Sequence, residues 1–169
     1  MPVDSFKYLP RLIATFYQMT ERQLEYPIPW TALSRPISEC KFSFVTSGGL
    51  YQKGLEPPFN LSREKNQPTW GDPSYRTIPT KSAQSDIGVS HLHFNSQDVR
   101  QDVNILLPIH RFQEMVKEGK VGAVAEFAYS FMGFQGFPPD TVEWVQTYAP
   151  EVIQKMKAEA VDCVLLTPA

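Results

Sequence analysis

The chain has 169 residues and a formal net charge of −2 at pH 7, so its charge gives no reason to expect binding to nucleic acid or to an anionic membrane. Hydrophobic residues make up 42% and charged residues 20% of the sequence, which is typical of one globular domain. No apolar run is long enough to span a bilayer, and the two cysteines form no disulfide framework, so we expect a cytoplasmic protein.

The first forty residues predict a helix followed by an extended linker. Apolar residues from Leu9 to Phe16 recur at helical spacing, and the prolines within Tyr26–Trp30 force the chain to extend. Residues 41–46 then alternate between two faces, as a β-strand does. Residues 51–75 show no clean period, and their aromatic side chains indicate an ordered irregular excursion.

Strands and helices alternate along the rest of the chain. In order, we predict a short strand at 76–79, a strand at Ile87–Phe94, a helix at Pro108–Glu118, a half-buried strand at Ala125–Phe131, a helix that Asp140 and Glu143 cap and Pro150 interrupts, and a buried strand at 161–169. This order predicts an α/β fold with a mainly parallel sheet flanked by helices and a long irregular excursion after the first strand. We expect one domain over 1–169, with the N-terminal helix and linker at 1–40 and a core at 41–169 that is incomplete at its C-terminal side.

A hydroxyl and two glycines follow the first predicted strand. Ser47, Gly48 and Gly49 would lie at the carboxyl edge of the sheet, where backbone amides can bind a carboxylate or phosphate. Their spacing is not that of the known nucleotide-binding glycine motifs. A tight turn that needs the positive φ of glycine is the alternative interpretation, and the pattern leaves both open.

Two histidines lie near the end of the predicted strand at Ile87–Phe94. A period of two puts His91 and His93 on one face, where imidazoles can exchange protons near neutral pH or bind a metal. No further histidine or cysteine pattern completes a zinc site, so we predict no metal. We prefer a functional pair to the alternative, which is a polar strand end with solvated or hydrogen-bonded histidines.

Three further polar residues are candidates for binding a substrate. Arg76 can hold a carboxylate through two parallel hydrogen bonds, and Asp72 lies four positions before it. An Asp72–Arg76 pair that only closes the loop is the simpler interpretation of this spacing. Asn104, which precedes the helix at Pro108–Glu118, completes the candidate substrate-binding set.

Several short segments, in this order and at this spacing, resemble the selenoprotein B family of glycine/sarcosine/betaine reductase and D-proline reductase. The segments are Val45–Gly49, Gly71–Pro79, Ser90–His93, Asp102–Pro108, Tyr129–Gly133 and Asp162–Pro168. The resemblance covers residues 41–169 and implies a cytoplasmic α/β oxidoreductase that cleaves a substrate C–N bond reductively.

The resemblance also implies where the chemistry lies. In this family a selenocysteine or cysteine nucleophile, in a Sec/Cys-x-x-Cys motif, follows the segment that matches Leu165–Pro168, and a partner subunit carries a pyruvoyl group that binds the substrate amine. The chain stops at Ala169, so we expect an inactive N-terminal fragment whose next codon is a UGA interpreted as a stop. A thiol or selenoprotein electron donor is implied, and no cofactor is expected within these residues.

The resemblance and the motif positions suggest roles for the candidate residues. His91 and His93 are candidates for delivering a proton to a leaving amine, and the Ser47–Gly49 loop and Arg76 for binding a small substrate carboxylate. Two other hypotheses stay open: a non-catalytic small-carboxylate-binding or accessory protein, and a metal-dependent enzyme that uses the two histidines as ligands. We also expect the terminal strand, without a covering helix, to promote aggregation or dimerisation.

Overall fold

The structure is a computed structural model that describes residues 11, 15, 31–67, 69–136 and 138–169. The predicted N-terminal helix lies outside the described residues except for Arg11 and Thr15, where the Thr15 hydroxyl donates a 2.9 Å hydrogen bond to the Arg11 carbonyl. The chain divides into two compact units, Met1–Ala32 and Leu33–Ala169, and the second contains the sheet. One domain over the whole chain stays a prediction.

The elements of the second unit follow one another in a mixed order of strands and helices. The strands are β1 (Lys41–Thr46), β2 (Leu50–Gln52), β3 (Tyr75–Pro79), β4 (Ile87–Val89), β5 (Ala123–Val124), β6 (Phe127–Phe131) and β7 (Cys163–Thr167). The α-helices are α1 (Leu61–Asn66), α2 (Gln97–Gln101), α3 (Ile109–Lys117) and α4 (Ala149–Ala158). No helix in the part of the chain that the structure describes is long and apolar enough to cross a membrane.

The main sheet is built around β1. On one side β1 pairs in parallel with β7, from Phe42 opposite Cys163 to Thr46 opposite Thr167. On its other side β1 pairs in parallel with β5 and then with β6, and β3 pairs antiparallel with β6. The sheet therefore has five strands in the order β3–β6–β1–β7, with β5 beside the start of β1 on the same side as β6, and the predicted α/β fold with a mainly parallel sheet is confirmed.

Both faces of β1 are covered, because its side chains alternate between two apolar clusters. Phe44 belongs to a cluster that includes Ile109, and its ring lies 5.0 Å from that of Phe112 on α3. Val45 points the other way and packs against a cluster that includes Val152 of α4. One helix thus covers each face of the sheet, as in layered α/β folds.

The helix predicted at Pro108–Glu118 is confirmed as α3. Pro108 precedes its first residue, where a missing N–H costs nothing. Gly119 follows its end with φ +69°, and the Lys120 N–H bonds back to the Met115 carbonyl at 2.9 Å. This left-handed glycine satisfies carbonyls that the last helical turn leaves free.

The start of the α4 region differs from the prediction. Asp140 and Glu143 make no capping box: the Asp140 N–H goes to the Gln135 carbonyl, and its carboxylate accepts from the Val142 N–H at 3.0 Å. The chain instead forms a π-helical turn over Trp144–Tyr148 and continues as α4. Pro150, which has no N–H to donate, lies where the wide turn changes to the α-helix.

The irregular excursion predicted at 51–75 contains regular structure that the sequence pattern did not indicate. Its start belongs to β2, which pairs antiparallel with β4, and a six-residue helix, α1, lies within it. The strand predicted at Ile87–Phe94 is too long, because β4 ends at Val89. Beyond Ser90, whose N–H still bonds the Gly49 carbonyl at 2.8 Å, the chain bends.

The terminal strand is confirmed in position but not in burial. β7 pairs with β1 on one side, and no described strand pairs with its other side. Val164 is 44% exposed and Leu166 is 69% exposed. The predicted buried strand is therefore an edge strand with one apolar face open to solvent.

Replacing Leu166 with threonine is expected to weaken self-association of the chain. Leu166 lies on an open strand edge, where apolar side chains favour edge-to-edge pairing, and threonine keeps the preference for a strand. Light scattering over a concentration series measures the effect. Ile153→Thr on α4 is the control, since Ile153 is 49% exposed but lies on a helix. An equal response of both variants would contradict a role for the β7 edge.

Candidate functional site

The carboxyl ends of the three parallel strands β1, β6 and β7 meet at one edge of the sheet. The Ser47 N–H, directly after β1, donates to the Thr167 carbonyl of β7 at 3.3 Å, and the Ala169 N–H donates to the Ser47 hydroxyl oxygen at 2.9 Å. Gly48 forms an isolated antiparallel bridge with Met132, the residue after β6. Loops after parallel strands are where α/β proteins bind their ligands, so this edge is the candidate site.

The loop that follows β1 needs glycine because the backbone approaches closely. Gly49 has φ +62°, and a Cβ on it would lie 2.2 Å from the Ser90 carbonyl oxygen. Its N–H bonds the Phe131 carbonyl at 2.9 Å, and the Gly48 N–H bonds the Thr46 hydroxyl at 3.1 Å. With the Ser47 N–H also engaged, all three loop amides have acceptors inside the chain. Binding of a substrate anion by Ser47, Gly48 and Gly49 stays a prediction, and Ser47 is the member that offers a side-chain hydroxyl.

The Ser47–Gly49 loop and the histidine segment are direct neighbours, because the Ser90 N–H donates a hydrogen bond to the Gly49 carbonyl. His91 and His93 lie in the bend after β4 and not on the predicted strand, so strand periodicity does not explain their position. The bend still brings the two rings together, with centroids 5.8 Å apart. Their role in proton transfer stays a prediction.

His91 is held in its neutral form. Burial lowers the pKa of His91 to about 4, and the neighbouring His93 contributes in the same direction. Its Nδ1 accepts a 3.1 Å hydrogen bond from the His93 N–H, so the proton of the neutral ring lies on Nε2. Nε2 is buried and has no hydrogen-bond partner among the residues that the structure describes. His91 therefore presents a ring N–H with unused hydrogen-bonding capacity.

His93 is paired with a carboxylate that the sequence analysis did not single out. Its Nε2 lies 2.6 Å from Oε1 of Glu64, a residue of α1 that is 3% exposed. The His93 ring also packs on Phe134, with centroids 4.2 Å apart. Phe134 follows β6, so the histidine segment, the irregular excursion and the carboxyl edge of the sheet are in contact here.

Asp72 lies in the loop before β3, and Arg76 is the second residue of that strand. Arg76 donates to the carbonyls of Pro57 and Pro58 at 2.7 and 3.4 Å, and its guanidinium lies 4.2 Å from the centre of the Phe59 ring. It lies 3.7 Å from the Asp72 carboxylate. These contacts join the two sides of the excursion, and binding of a substrate by Asp72 or Arg76 stays a prediction.

Asn104 contacts the start of α3. Its Oδ1 accepts from the His110 N–H at 3.0 Å, and its Nδ2 donates to Asp102 at 2.7 Å and lies 3.2 Å from His110 Nδ1. The side chain therefore connects the turn at Val103–Ile105 to the first turn of α3. A role for Asn104 in substrate binding stays a prediction.

An apolar pocket of about 190 Å³ opens beside Ser47. It is lined by Val45, Thr46, Ser47, Phe131, Trp144 and Ala149. The rings of Phe131 and Trp144 lie 5.5 Å apart, edge to face. Trp144 Nε1 is buried and finds no acceptor among the described residues. The lining of the pocket is almost wholly apolar, which suits the carbon atoms of a small molecule.

Neither cysteine has the surroundings of an activated nucleophile. Cys40 is fully buried and its thiol donates to the Pro36 carbonyl at 3.3 Å. Burial is the main cause that raises the pKa of the Cys163 thiol, and a hydrogen bond with Cys40 is the second. A raised thiol pKa lowers the fraction of reactive thiolate. Within the described residues no group of three or more histidine, cysteine, aspartate or glutamate side chains is placed to hold a metal ion.

The low pKa of His91 predicts a specific dependence of stability on pH. Between pH 6.5 and about 4 the unfolded chain takes up a proton that the folded chain does not, so the free energy of unfolding falls as the pH is lowered. The lowered pKa of His91 alone would correspond to a loss of about 3 kcal/mol in the free energy of unfolding. Because the ring is partly exposed to solvent, we expect a loss of about 1 kcal/mol. Urea unfolding of the wild type and His91→Gln from pH 7 to 4 measures it. Identical slopes in both proteins would contradict a neutral His91.

The fold is that of an α/β protein, a class in which ligands commonly bind at the carboxyl ends of the parallel strands. A family model for glycine/sarcosine/betaine reductase selenoprotein B matches residues 14–169. The chain therefore belongs to this family, and the resemblance of its segments is confirmed. No solved structure matches the chain at a significant level.

Individual relatives agree with this assignment. The chain is 33% identical to the D-proline reductase subunit gamma of Acetoanaerobium sticklandii over 141 residues, which cover 83% of this chain and 53% of that protein. It is 26% identical to the betaine reductase complex component B subunit beta of Peptoclostridium acidaminophilum over 154 residues, which cover 87% of this chain and 33% of that protein. It is also 26% identical to the glycine reductase complex component B subunit gamma of Carboxydothermus hydrogenoformans over 141 residues, which cover 83% of this chain and 30% of that protein. The chain thus spans about half the length of the first relative and about a third of the other two.

Proposed function

We propose that this chain forms part of a selenol- or thiol-dependent reductase that cleaves the C–N bond of a small amino-acid-like substrate. The observation that carries the proposal is the meeting of family-matching segments at one edge of the sheet: the Ser47–Gly49 loop, the end of β7 and the His91–His93 bend. In the family pattern the nucleophile follows the segment Leu165–Pro168. In this proposal it therefore belongs to the whole protein and lies outside these 169 residues.

The proposed first step is a displacement in which the electron count balances. A selenolate or thiolate attacks the carbon that bears the nitrogen, a C–Se or C–S bond forms, and the C–N bond breaks with its electron pair leaving on the amine. The amine takes a proton from an imidazolium, for which His93 is our candidate. Two electrons from a thiol or selenoprotein donor then release the carbon fragment and restore the nucleophile. Overall the substrate gains two electrons and two protons.

The pocket beside Ser47 supports binding of the substrate's carbon skeleton. Its apolar wall of Phe131 and Trp144 suits carbon atoms, and the Ser47 hydroxyl suits a carboxylate oxygen. A selenolate or thiolate placed after β7 would be next to this pocket, since the Ala169 N–H already bonds the Ser47 hydroxyl. The proposal includes partner subunits, because the relatives are named as subunits of reductases or of reductase complexes, and a location in the cytoplasm.

The test is a reductase assay on the complete gene product. Reading the nucleotides after the Ala169 codon comes first, and the proposal expects UGA or an in-frame cysteine codon there. The complete protein, purified with its co-expressed partners, is then given D-proline, glycine, sarcosine or betaine with a dithiol. Release of amine, or opening of the proline ring, supports the proposal. An ordinary stop codon followed by unrelated sequence would contradict it.

The alternative is a small-carboxylate-binding or accessory protein without turnover, which the pocket beside Ser47 also supports. Calorimetric titration of the complete protein with the same four compounds distinguishes the two. Binding of one of them without any product favours the accessory protein, whereas product formation with turnover favours the reductase.

A further inference from the structure

We infer that Glu64 is a positioning residue that fixes the proton of the His93 ring on Nε2 and leaves Nδ1 as the atom that exchanges protons with a substrate. This inference deepens the proposed function and rests on it for the role of His93. Neither the sequence pattern nor the resemblance pointed to Glu64, because it lies in the irregular excursion, 29 positions from His93.

The first argument is the burial of the carboxylate. The Glu64 side chain is 2% exposed, whereas the His93 side chain is 45% exposed. A buried carboxylate is costly unless it is paired with a charged or hydrogen-bonded group, and His93, with Nε2 at 2.6 Å, is the one side chain among the described residues that forms a hydrogen bond with Glu64. One end of the pair is thus fixed inside the protein, and the other faces the solvent side of the site.

The second argument is the direction of the hydrogen bond. A carboxylate anion only accepts hydrogen bonds, so in this inference the ring nitrogen that faces Glu64 carries the proton. In the neutral ring the other nitrogen, Nδ1, is then the base. Packing on Phe134, at 4.2 Å between centroids, restricts the plane of the ring, so both its tautomer and its orientation are set.

The third argument is that hydrogen bonding in this cluster is incomplete. Glu64 Oε2 and His91 Nε2 are both buried, and both lack a partner among the residues that the structure describes. A purely structural ion pair would be expected to use both carboxylate oxygens, as buried polar groups generally do. An unused acceptor on Glu64 and an unused donor on His91, both next to His93 in the contacts of this cluster, are the kind of groups that a ligand can complete.

The alternative role for Glu64 is to fasten α1, which has six residues, to the bend after β4. In that case removing the carboxylate would lower stability without changing which ring nitrogen of His93 carries the proton. The tautomer is therefore the measurement that separates a positioning role from a fastening role.

The experiment is ¹⁵N NMR of the imidazole rings in the uniformly labelled full chain, at a pH where the rings are neutral. We expect the ratio of the Nε2–H form to the Nδ1–H form of His93 to be about 10- to 100-fold higher than in a histidine peptide, and the ring proton to exchange slowly. Glu64→Gln should reduce this excess and speed exchange of this proton, because a neutral amide accepts more weakly than a carboxylate and can equally turn its NH2 group toward the ring nitrogen. Glu56→Gln is the matched control, because Glu56 lies in the same excursion but accepts from the Thr77 N–H at 2.8 Å.

Each result decides the inference. A wild-type His93 with its proton on Nδ1, or with the peptide's ratio, overturns it even where Glu64→Gln fails to fold. An unchanged tautomer in a folded Glu64→Gln protein overturns it too. In the reductase assay Glu64→Gln should lower kcat about 10- to 100-fold with little change in KM. Absence of wild-type turnover with the Nε2–H form intact would contradict the proposed function and leave the positioning role supported.

Discussion

Replacing His93 with glutamine is expected to lower kcat of the complete reductase about 10²- to 10⁴-fold, which is the usual contribution of a general acid. Glutamine can keep a hydrogen bond to Glu64, at 2.6 Å in the wild type, but it cannot give up a proton at neutral pH. The leaving amine would then depart without protonation. Turnover measured at saturating substrate, with a dithiol as electron donor, gives the ratio.

The control for this experiment is Arg111→Gln. Arg111 lies on the exposed side of α3, where its side chain pairs with Glu114 at 2.9 Å, and exposed pairs of this kind contribute at most about 1 kcal/mol. We expect Arg111→Gln to retain wild-type turnover, which shows that expression and assembly are sound. A His93→Gln enzyme with more than about a tenth of wild-type kcat would contradict proton delivery by His93.

Gly49→Ala is expected to cause the largest loss of stability of any single methyl addition at the candidate site. The new Cβ would lie 2.2 Å from the Ser90 carbonyl oxygen, and backbone atoms cannot move aside as a side chain can. The loss combines about 1–2 kcal/mol for alanine at positive φ with about 1–3 kcal/mol for overpacking. Urea unfolding with a shared m-value measures the sum.

Gly54→Ala separates these two contributions. Gly54 has φ +78°, similar to the +62° of Gly49, but a Cβ there would meet nothing within 4 Å. Gly54→Ala should therefore lose only the backbone contribution of about 1–2 kcal/mol. Equal losses in the two variants would show that the close approach between the Gly49 loop and Ser90 is not maintained in solution.

The bounds of strands and helices were predictable from the sequence wherever the local pattern and the long-range pairing agree. β1 and α3 were predicted almost to the residue, because alternation, helical spacing and Gly119 each mark their own element. The strand at Ile87–Phe94 was predicted too long because its alternating pattern continues past Val89, whereas β2, its partner, has only three residues. The length of a short antiparallel pair depends on the partner, which a single segment does not encode.

The candidate site was predictable only in part, for a similar reason. His91 and His93 could be named from their residue type, but the predicted strand geometry was wrong and the bend that brings their rings together has no local signature. Glu64 could not be named, since a glutamate in a polar helix normally faces solvent. Its burial arises from packing of the excursion against the bend, which depends on contacts between segments distant in sequence.

The central position of β1 also constrains how this unit is made in the cell. β1 leaves the ribosome early, yet the Thr167 hydroxyl bonds the Val45 carbonyl across 122 positions, and the Ser43 hydroxyl bonds the Phe127 carbonyl across 84. A strand whose neighbours are translated so much later stays unpaired until those neighbours have been made. Because loops of this size must close before the contacts form, folding of this unit is expected to be slow, with a window in which Phe42 and Phe44 are open to chaperones.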